Sequence, residues 1–277
     1  MKTVLEVLKS TTEYFAKAGV DSPRLNIEHL LAHALGKRRM DLYLEFDRPL
    51  GEKELQPLRD LVRRRAAGEP LQHLLGSVEF LGHVFLCDAR ALIPRPETEQ
   101  LAARILQLHP APPQRLLDMG TGSGVLALSL AAAWAASEVH AVDLSEDALA
   151  LARANADKLG LSHRVQFHQG HLFLPPATPF QLIVANLPYI PSDQISSLSR
   201  EVQRDPKLAL DGGPDGTSLI RELILAIRPQ LQGLLALEIG HDQSPSLQES
   251  LAQAGYRDIR SESDYQGRHR ILFASYG

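Results

Sequence analysis

Apolar positions near the start of the chain fall at helical spacing. Val4, Leu5, Val7 and Leu8, followed by Tyr14 and Phe15, form one stripe that Gly19 ends. Asp21-Ser22-Pro23 restarts the pattern, with Ser22 placed to cap a second helix and Pro23 at its first position. Leu25, Ile27, Leu30, Leu31 and Leu35 supply its stripe before Gly36. A third amphipathic stretch covers 52–67. These stripes need one another to be buried, so residues 1–75 are expected to form a small all-helical N-terminal domain.

The period then changes. Alternation over 78–86, with Gly82 in its middle, predicts a hairpin, and 76–94 is expected to be a hairpin linker. Pro94 and Pro96 force an extended entry into a helix that starts near Thr98-Glu99 and ends near His109. From residue 114, strands (114–118, 138–143, 165–168, 181–185) alternate with helices (124–135, and 145–159 capped by Ser145). Further strands are expected at 234–239, 256–260 and 270–275. Residues 95–277 therefore read as an α/β domain with a seven-stranded, parallel, doubly wound sheet, whose ligands bind beyond the carboxyl ends of the strands.

Composition narrows this only slightly. At 277 residues and 44% hydrophobic, the chain has length for two cores. A net charge of -4 argues against a generic nucleic-acid coat, and with no apolar run approaching a membrane span a cytoplasmic location is expected. The lone Cys87, in Val84-Phe85-Leu86-Cys87, reads as a small buried hydrophobe and excludes an internal disulfide. His29 and His33 have a ligand spacing but no third partner, so no metal is expected. The basic triplets Lys37-Arg38-Arg39 and Arg63-Arg64-Arg65 are either solvated faces or, if they converge, a docking surface for something acidic.

The chemistry concentrates in two stretches. Leu116-Leu117-Asp118-Met119-Gly120-Thr121-Gly122-Ser123-Gly124 is an apolar strand that breaks into alternating glycines before a helix, so backbone amides face a ligand there. A dinucleotide fingerprint would place its third glycine at position 125, where this chain has Val125. The pattern suits enzymes that bind S-adenosylmethionine instead. Asp143, at the tip of the next strand, can accept both ribose hydroxyls of an adenosine. In the second stretch, strand 181–185 runs into Asn186-Leu187-Pro188-Tyr189. There the Asn186 side-chain oxygen and the Leu187 carbonyl can each accept one N–H of a planar NH₂ group, and Tyr189 can pack on its flat face. That turn looks like the Asn-Pro-Pro-Tyr signature of methyltransferases acting on conjugated nitrogens.

With these residues in hand the chain resembles the PrmC/HemK family, the protein-(glutamine-N5) methyltransferases of peptide chain release factors. The match runs nearly end to end, through Ser22-Pro23-Arg24-Leu25, Pro70-Leu71-Gln72 with Leu75-Gly76, Ile93-Pro94-Arg95-Pro96-Glu97-Thr98, the glycine turn, Asp143, Asn186 to Tyr189, Ala209-Leu210-Asp211-Gly212-Gly213 with Asp215-Gly216, and Leu237-Glu238-Ile239-Gly240. The resemblance implies a Rossmann-like methyltransferase domain, S-adenosylmethionine as cofactor, and as substrate the glutamine of a release factor's Gly-Gly-Gln loop, gripped in part by the helical domain. It implies a monomer with no direct nucleic-acid or membrane partner. Cofactor contacts are expected from Asp118, Gly120, Thr121, Gly122, Ser123, Gly124, Asp143, His171, Leu172 and Asn186, and catalysis from Asn186, Leu187, Pro188 and Tyr189. Two positions depart from the family pattern. Leu187 replaces a proline, which keeps the carbonyl and predicts activity with a slightly looser turn. His171 stands where the family commonly has an acid near the adenine, and Leu172 or Phe173 is expected to supply the apolar adenine contact. Two other readings compete: an adenine-N6 type nucleic-acid methyltransferase, which would want a broad basic surface, and a non-catalytic S-adenosylmethionine sensor, which would have no use for Asn186, Pro188 and Tyr189 together.

Overall fold

A computed structural model describes residues 2–109, 111–172 and 179–277, and the chain divides into two units, the first comprising the residues to Gly76 together with Ser199–Arg204. In that unit α1 (Val4–Lys17) starts at a capping box in which Thr3 and Glu6 each bond the other's backbone N–H. It is followed by α2 (Pro23–Ala34), a 3-10 turn over Arg39–Leu44, α3 (Glu52–Ala66) and the short α4 (Leu71–Leu75). Their stripes meet in one core around Leu8, Phe15, Ile27, Leu30, Leu31 and Leu42. Ser22 does not cap α2 as expected. Its backbone is left-handed, with φ 47°, and its side chain makes no cap bond; the Asn26 amide instead donates to the Asp21 carbonyl at 2.8 Å.

The basic triplets are paired within this unit, in part on solvated faces. Lys37, Arg38 and Arg39 pair with Glu45, Asp41 and Glu28, while Arg63, Arg64 and Arg65 pair with Asp60, Glu69 and Glu201. Arg65 is buried and also donates to Asn26 Oδ1 at 2.6 Å. Arg38 and Arg63 stay exposed beside their partners, and of the six cations only Arg65 is buried.

The second unit comprises Ser77–Leu198 and Asp205–Gly277. The hairpin β1 (Ser77–Phe80) and β2 (His83–Leu86) turns at Gly82, as alternation predicts, but it belongs to this unit and is not a free linker. Phe80 and Phe85 are buried in the same cluster as Leu101 and Ile105 of α5 (Pro96–Leu108). Cys87 is buried just beyond, and that burial pushes its thiol up to about 12.

There follow β3 (Arg115–Met119), α6 (Val125–Ala133), β4 (Glu138–Asp143), α7 (Glu146–Leu159), β5 (Val165–Gln169), β6 (Phe180–Ala185), α8 (Ser218–Ala226), β7 (Leu231–Glu238), α9 (Ser244–Gln253), β8 (Arg257–Ser263) and β9 (His269–Tyr276). The seven-stranded sheet has the order β5-β4-β3-β6-β7-β9-β8. Five strands are parallel, as expected. Of the last two, β9 alone is reversed: it runs antiparallel to both β7 and β8, because the Asp264–Arg268 turn joining β8 to β9 is too short for a crossover, and β8 at the edge therefore runs in the same sense as β7. Apolar residues alternate onto two faces, Leu116 and Val184 into a core with α6, Leu117 and Ile183 into a core with α8 and α9.

One feature of this topology positions the reactive stretches. The chain winds from β3 outward to β5 and then returns to lay β6 against the other side of β3, with Met119 opposite Ala185. The residues that follow these two strands, Gly120 and Asn186, are thereby brought side by side at a switch point. No helix among the described residues is long and apolar enough to cross a membrane.

Candidate active site

A cavity of about 600 Å³ opens at this switch point, within the range of small-molecule sites. Its floor is the glycine turn. Gly120 N–H and Thr121 N–H both donate to the Val142 carbonyl, at 2.8 and 2.9 Å, and Gly122 N–H donates to Asp143 Oδ2 at 2.8 Å. The turn needs glycine because φ is +76° at Gly120, +56° at Gly122 and +83° at Gly124. A Cβ on Gly120 would lie 2.7 Å from Leu187 Cδ2 and 3.8 Å from the Asn186 carbonyl oxygen, so the two reactive stretches are in contact. A Cβ on Gly124 would press Leu128 and Ala152 at 3.0 and 3.1 Å, so that glycine serves the packing of α6 on α7.

Asp143 is mostly buried, and this desolvation raises its pKa even though its oxygens receive the Gly122 and Ser145 N–H groups. Each oxygen keeps a lone pair, so the carboxylate can still accept a ribose hydroxyl. Leu144 and Leu172 add apolar wall beside it, and His171 joins them with Nε2 3.0 Å from Glu222 of α8. A polar strand tip flanked by apolar side chains is a chemistry that can hold a nucleoside. Phe173, the other residue expected near the adenine, lies outside the described residues.

Of the residues expected from sequence, Gly120, Thr121, Gly122, Ser123, Asp143, His171, Leu172, Asn186, Leu187 and Pro188 line this cavity. Asp118, Gly124 and Tyr189 do not. Asp118 is fully buried under the turn, where Oδ2 accepts the Thr121 hydroxyl at 2.6 Å and the Ala127 N–H at 3.1 Å. Burial pushes its acid up to about 7 against those two bonds. It braces the turn and the start of α6 and does not reach the cavity wall. Leu187, expected to loosen its turn, is buried against Gly120 at 5% exposure.

The Asn186 side chain is held in one orientation. Its Nδ2 donates to Thr98 Oγ1 at 2.9 Å, and the Thr98 hydroxyl donates in turn to Glu238 Oε2 at 2.6 Å. The amide oxygen, Oδ1, is left to accept. Tyr189, expected to pack on a flat substrate group, instead gives its hydroxyl to Glu238 Oε1 at 3.3 Å, and the Arg270 guanidinium lies 5.8 Å from its ring centroid. Desolvation and the neighbouring Glu238 carboxylate push the phenol well above its usual range. Glu238 itself is fully buried, which pushes its acid up to about 7.

The turn is fastened from behind. Gln243 donates from Nε2 to the Tyr189 carbonyl at 2.8 Å while its Oε1 accepts the Gly240 N–H. Ile190 exchanges backbone bonds with Leu210 and Gly212, at 3.1 and 2.9 Å. On the opposite wall, Arg95 pairs with the buried Asp205 at 2.5 Å, anchoring the chain that continues into Pro206, Leu208 and Ala209 of the cavity wall. Asn155 of α7 ties the hairpin to the glycine turn, accepting the Leu86 N–H at 2.6 Å and donating to the Ser123 carbonyl at 2.9 Å. Sequence spacing does not mark Thr98, Glu238, Asn155, Gln243 or Glu222 as site residues. Thr98 and Glu238 stand in stretches that carry the family resemblance, but only the sheet order brings them to Asn186.

Comparison with known proteins adds a family relationship. The PrmC N-terminal domain family matches residues 6–76, and a methyltransferase domain family matches 116–206. Curated relatives called release factor glutamine methyltransferase include those of Chlorobaculum tepidum (38% identical, covering 98% of this chain and 96% of the relative), Geobacter sulfurreducens (39%, 99% and 97%) and Deinococcus radiodurans (41%, 97% and 97%). Among solved structures, the hMettl16 catalytic domain superposes with a TM-score of 0.57 at 14% identity, covering 81% of this chain and 82% of that one, a likeness of fold.

Proposed function

Because the chain belongs to the release factor glutamine methyltransferase family, we propose that it transfers the methyl group of S-adenosylmethionine to the side-chain amide nitrogen, N5, of the glutamine in the Gly-Gly-Gln loop of peptide chain release factors. The observation that carries this reading is that Asn186, its Nδ2 engaged by Thr98 and its Oδ1 left to accept, shares a cavity with the glycine turn and Asp143. When bound, the cofactor supplies an electrophilic methyl carbon on a sulfonium leaving group. The glycine turn, Thr121, Ser123 and Asp143 would hold it, with His171 and Leu172 beside its adenine.

An amide nitrogen is a weak nucleophile because its lone pair is delocalised into the carbonyl. Asn186 Oδ1 accepts one N–H of the substrate amide and the Leu187 carbonyl accepts the other, so the remaining face of the nitrogen is turned toward the methyl carbon. The cofactor would supply the methyl group that replaces one of the two amide protons, and that proton would pass from its Asn186 or Leu187 acceptor to solvent. Orientation of this kind is worth up to roughly 7–11 kcal/mol. A cytoplasmic monomer acting directly on the release factor goes with this reading.

The test is incubation of the purified protein with a release factor and methyl-labelled S-adenosylmethionine, followed by peptide mapping. One methyl group on the Gly-Gly-Gln glutamine is the expected result. Label on RNA or DNA, or on another release-factor residue, overturns the proposal.

A further inference from the structure

The hydrogen-bond chain behind Asn186 has a direction, and the direction matters. A carboxamide presents either an acceptor or two donors to whatever faces it, and the two orientations are nearly equal in shape. Thr98 has one hydroxyl proton. Given to Glu238 Oε2, it leaves Oγ1 as an acceptor for Asn186 Nδ2, and Oδ1 is then the atom left to accept a substrate N–H. If the carboxylate takes up a proton, it becomes a donor to Thr98. The threonine proton then points to Asn186, which satisfies it best by turning Oδ1 toward Thr98 and its NH₂ group outward, where it repels an amide N–H.

We infer that Thr98 and Glu238 are positioning residues for methyl transfer: an ionised Glu238 fixes the polarity of the Thr98 hydroxyl, which holds the Asn186 amide oxygen toward the substrate nitrogen. The inference rests on the function proposed above. Neither residue touches the reacting atoms; both act through Asn186. The groups that face Glu238 are Glu97 and Thr98 of α5, Tyr189 from the turn after β6, and Arg270 of β9. Glu97 favours the protonated carboxyl and Arg270 the ionised one. With burial, these place the switch near neutrality.

The experiment compares wild type with Thr98→Val, Thr98→Ser and Glu238→Gln. It reads kcat and KM on a release factor, cofactor Kd by calorimetry, and kcat against pH at saturating cofactor. Thr98→Val removes the hydroxyl and keeps the shape; it is expected to lower kcat by tenfold or more with cofactor Kd within about threefold. Thr98→Ser restores the hydroxyl and recovers most of that loss, which a role in packing alone would not produce. Wild-type kcat falls on the acid side of about pH 7 as Glu238 protonates, and Glu238→Gln lacks that limb. If Thr98→Val folds poorly, seen as lost cofactor binding, the limb decides alone. A Thr98→Val kcat within twofold of wild type, or an acid limb that survives in Glu238→Gln, overturns the inference while leaving glutamine methylation intact. Absence of methyl transfer by the wild type overturns the functional reading instead, and this inference falls with it.

Discussion

Gly160 and Gly216 have nearly the same backbone, with φ of +71° and +72°, and opposite surroundings. A Cβ on Gly160, at the end of α7, meets nothing within 4 Å, whereas one on Gly216 would lie 2.3 Å from the Tyr189 carbonyl oxygen, 2.7 Å from Gln243 Nε2 and 3.0 Å from Pro191 Cδ. Alanine at Gly160 therefore costs only the left-handed conformation, about 1–2 kcal/mol. Alanine at Gly216 costs that and overpacking against backbone, roughly another 1–3 kcal/mol. The atom it strikes is the carbonyl that Gln243 clamps, in the segment carrying Asn186 and Pro188. Displacing catalytic geometry by about 1 Å can cost on the order of a hundredfold, so a few tenths of an ångström should lower kcat by on the order of tenfold. Thermal unfolding and kcat at saturating cofactor, measured side by side, test this. Gly160→Ala is expected to lose a few degrees and keep its turnover, while Gly216→Ala loses more of both. Equal losses in stability and turnover would refute the claim that this loop braces the reactive turn.

Asn186→Ala should leave cofactor Kd nearly unchanged in calorimetry while abolishing methyl transfer; parallel loss of both would count against a positioning role. Asp118 has a folded-state pKa of about 7, above its ordinary 3.8, so the native chain holds this proton more tightly than the unfolded one. Its contribution to stability is therefore greatest at low pH and declines as pH rises from about 4 to 7. Asp118→Asn removes the slope, and its Tm relative to wild type should improve across that interval; a difference that does not change with pH sinks the argument. Arg95→Ala removes the ion pair to the buried Asp205 carboxylate, which keeps the Ile93 N–H, at a cost on the order of 3 kcal/mol, the low end for a broken buried pair. The anchored wall of Pro206, Leu208 and Ala209 should loosen with it, seen as a raised KM for cofactor, and an unchanged Tm and KM would refute the anchoring role.

What could be read from sequence was whatever is written in local period and local chemistry. The alternation over β3 to β6, the glycine run and the Asn186 turn each declare themselves within about ten residues, and the parallel crossover rule then places their tips at one end of a sheet. Three kinds of information are not carried by period. The reversal of β9 depends on how short the turn joining it to β8 is, and period alone is blind to strand direction. Asp118 looks like a ligand residue from its place at a strand tip, but its direction is set by competition for the Thr121 hydroxyl and the Ala127 N–H, and it turns inward. Tyr189 likewise follows Glu238. The basic triplets read as a surface because their partners, Glu28, Glu45 and Glu201 among them, lie elsewhere in the chain. For Tyr189, Arg39 and Arg65 a polar side chain is drawn to a partner far along the chain, and sequence spacing carries no record of that partner. The same logic makes the chain through Thr98 to Glu238 the decisive part of the site. The asparagine could be found from its neighbours, but which of its two ends faces the substrate is decided by a carboxylate on another strand.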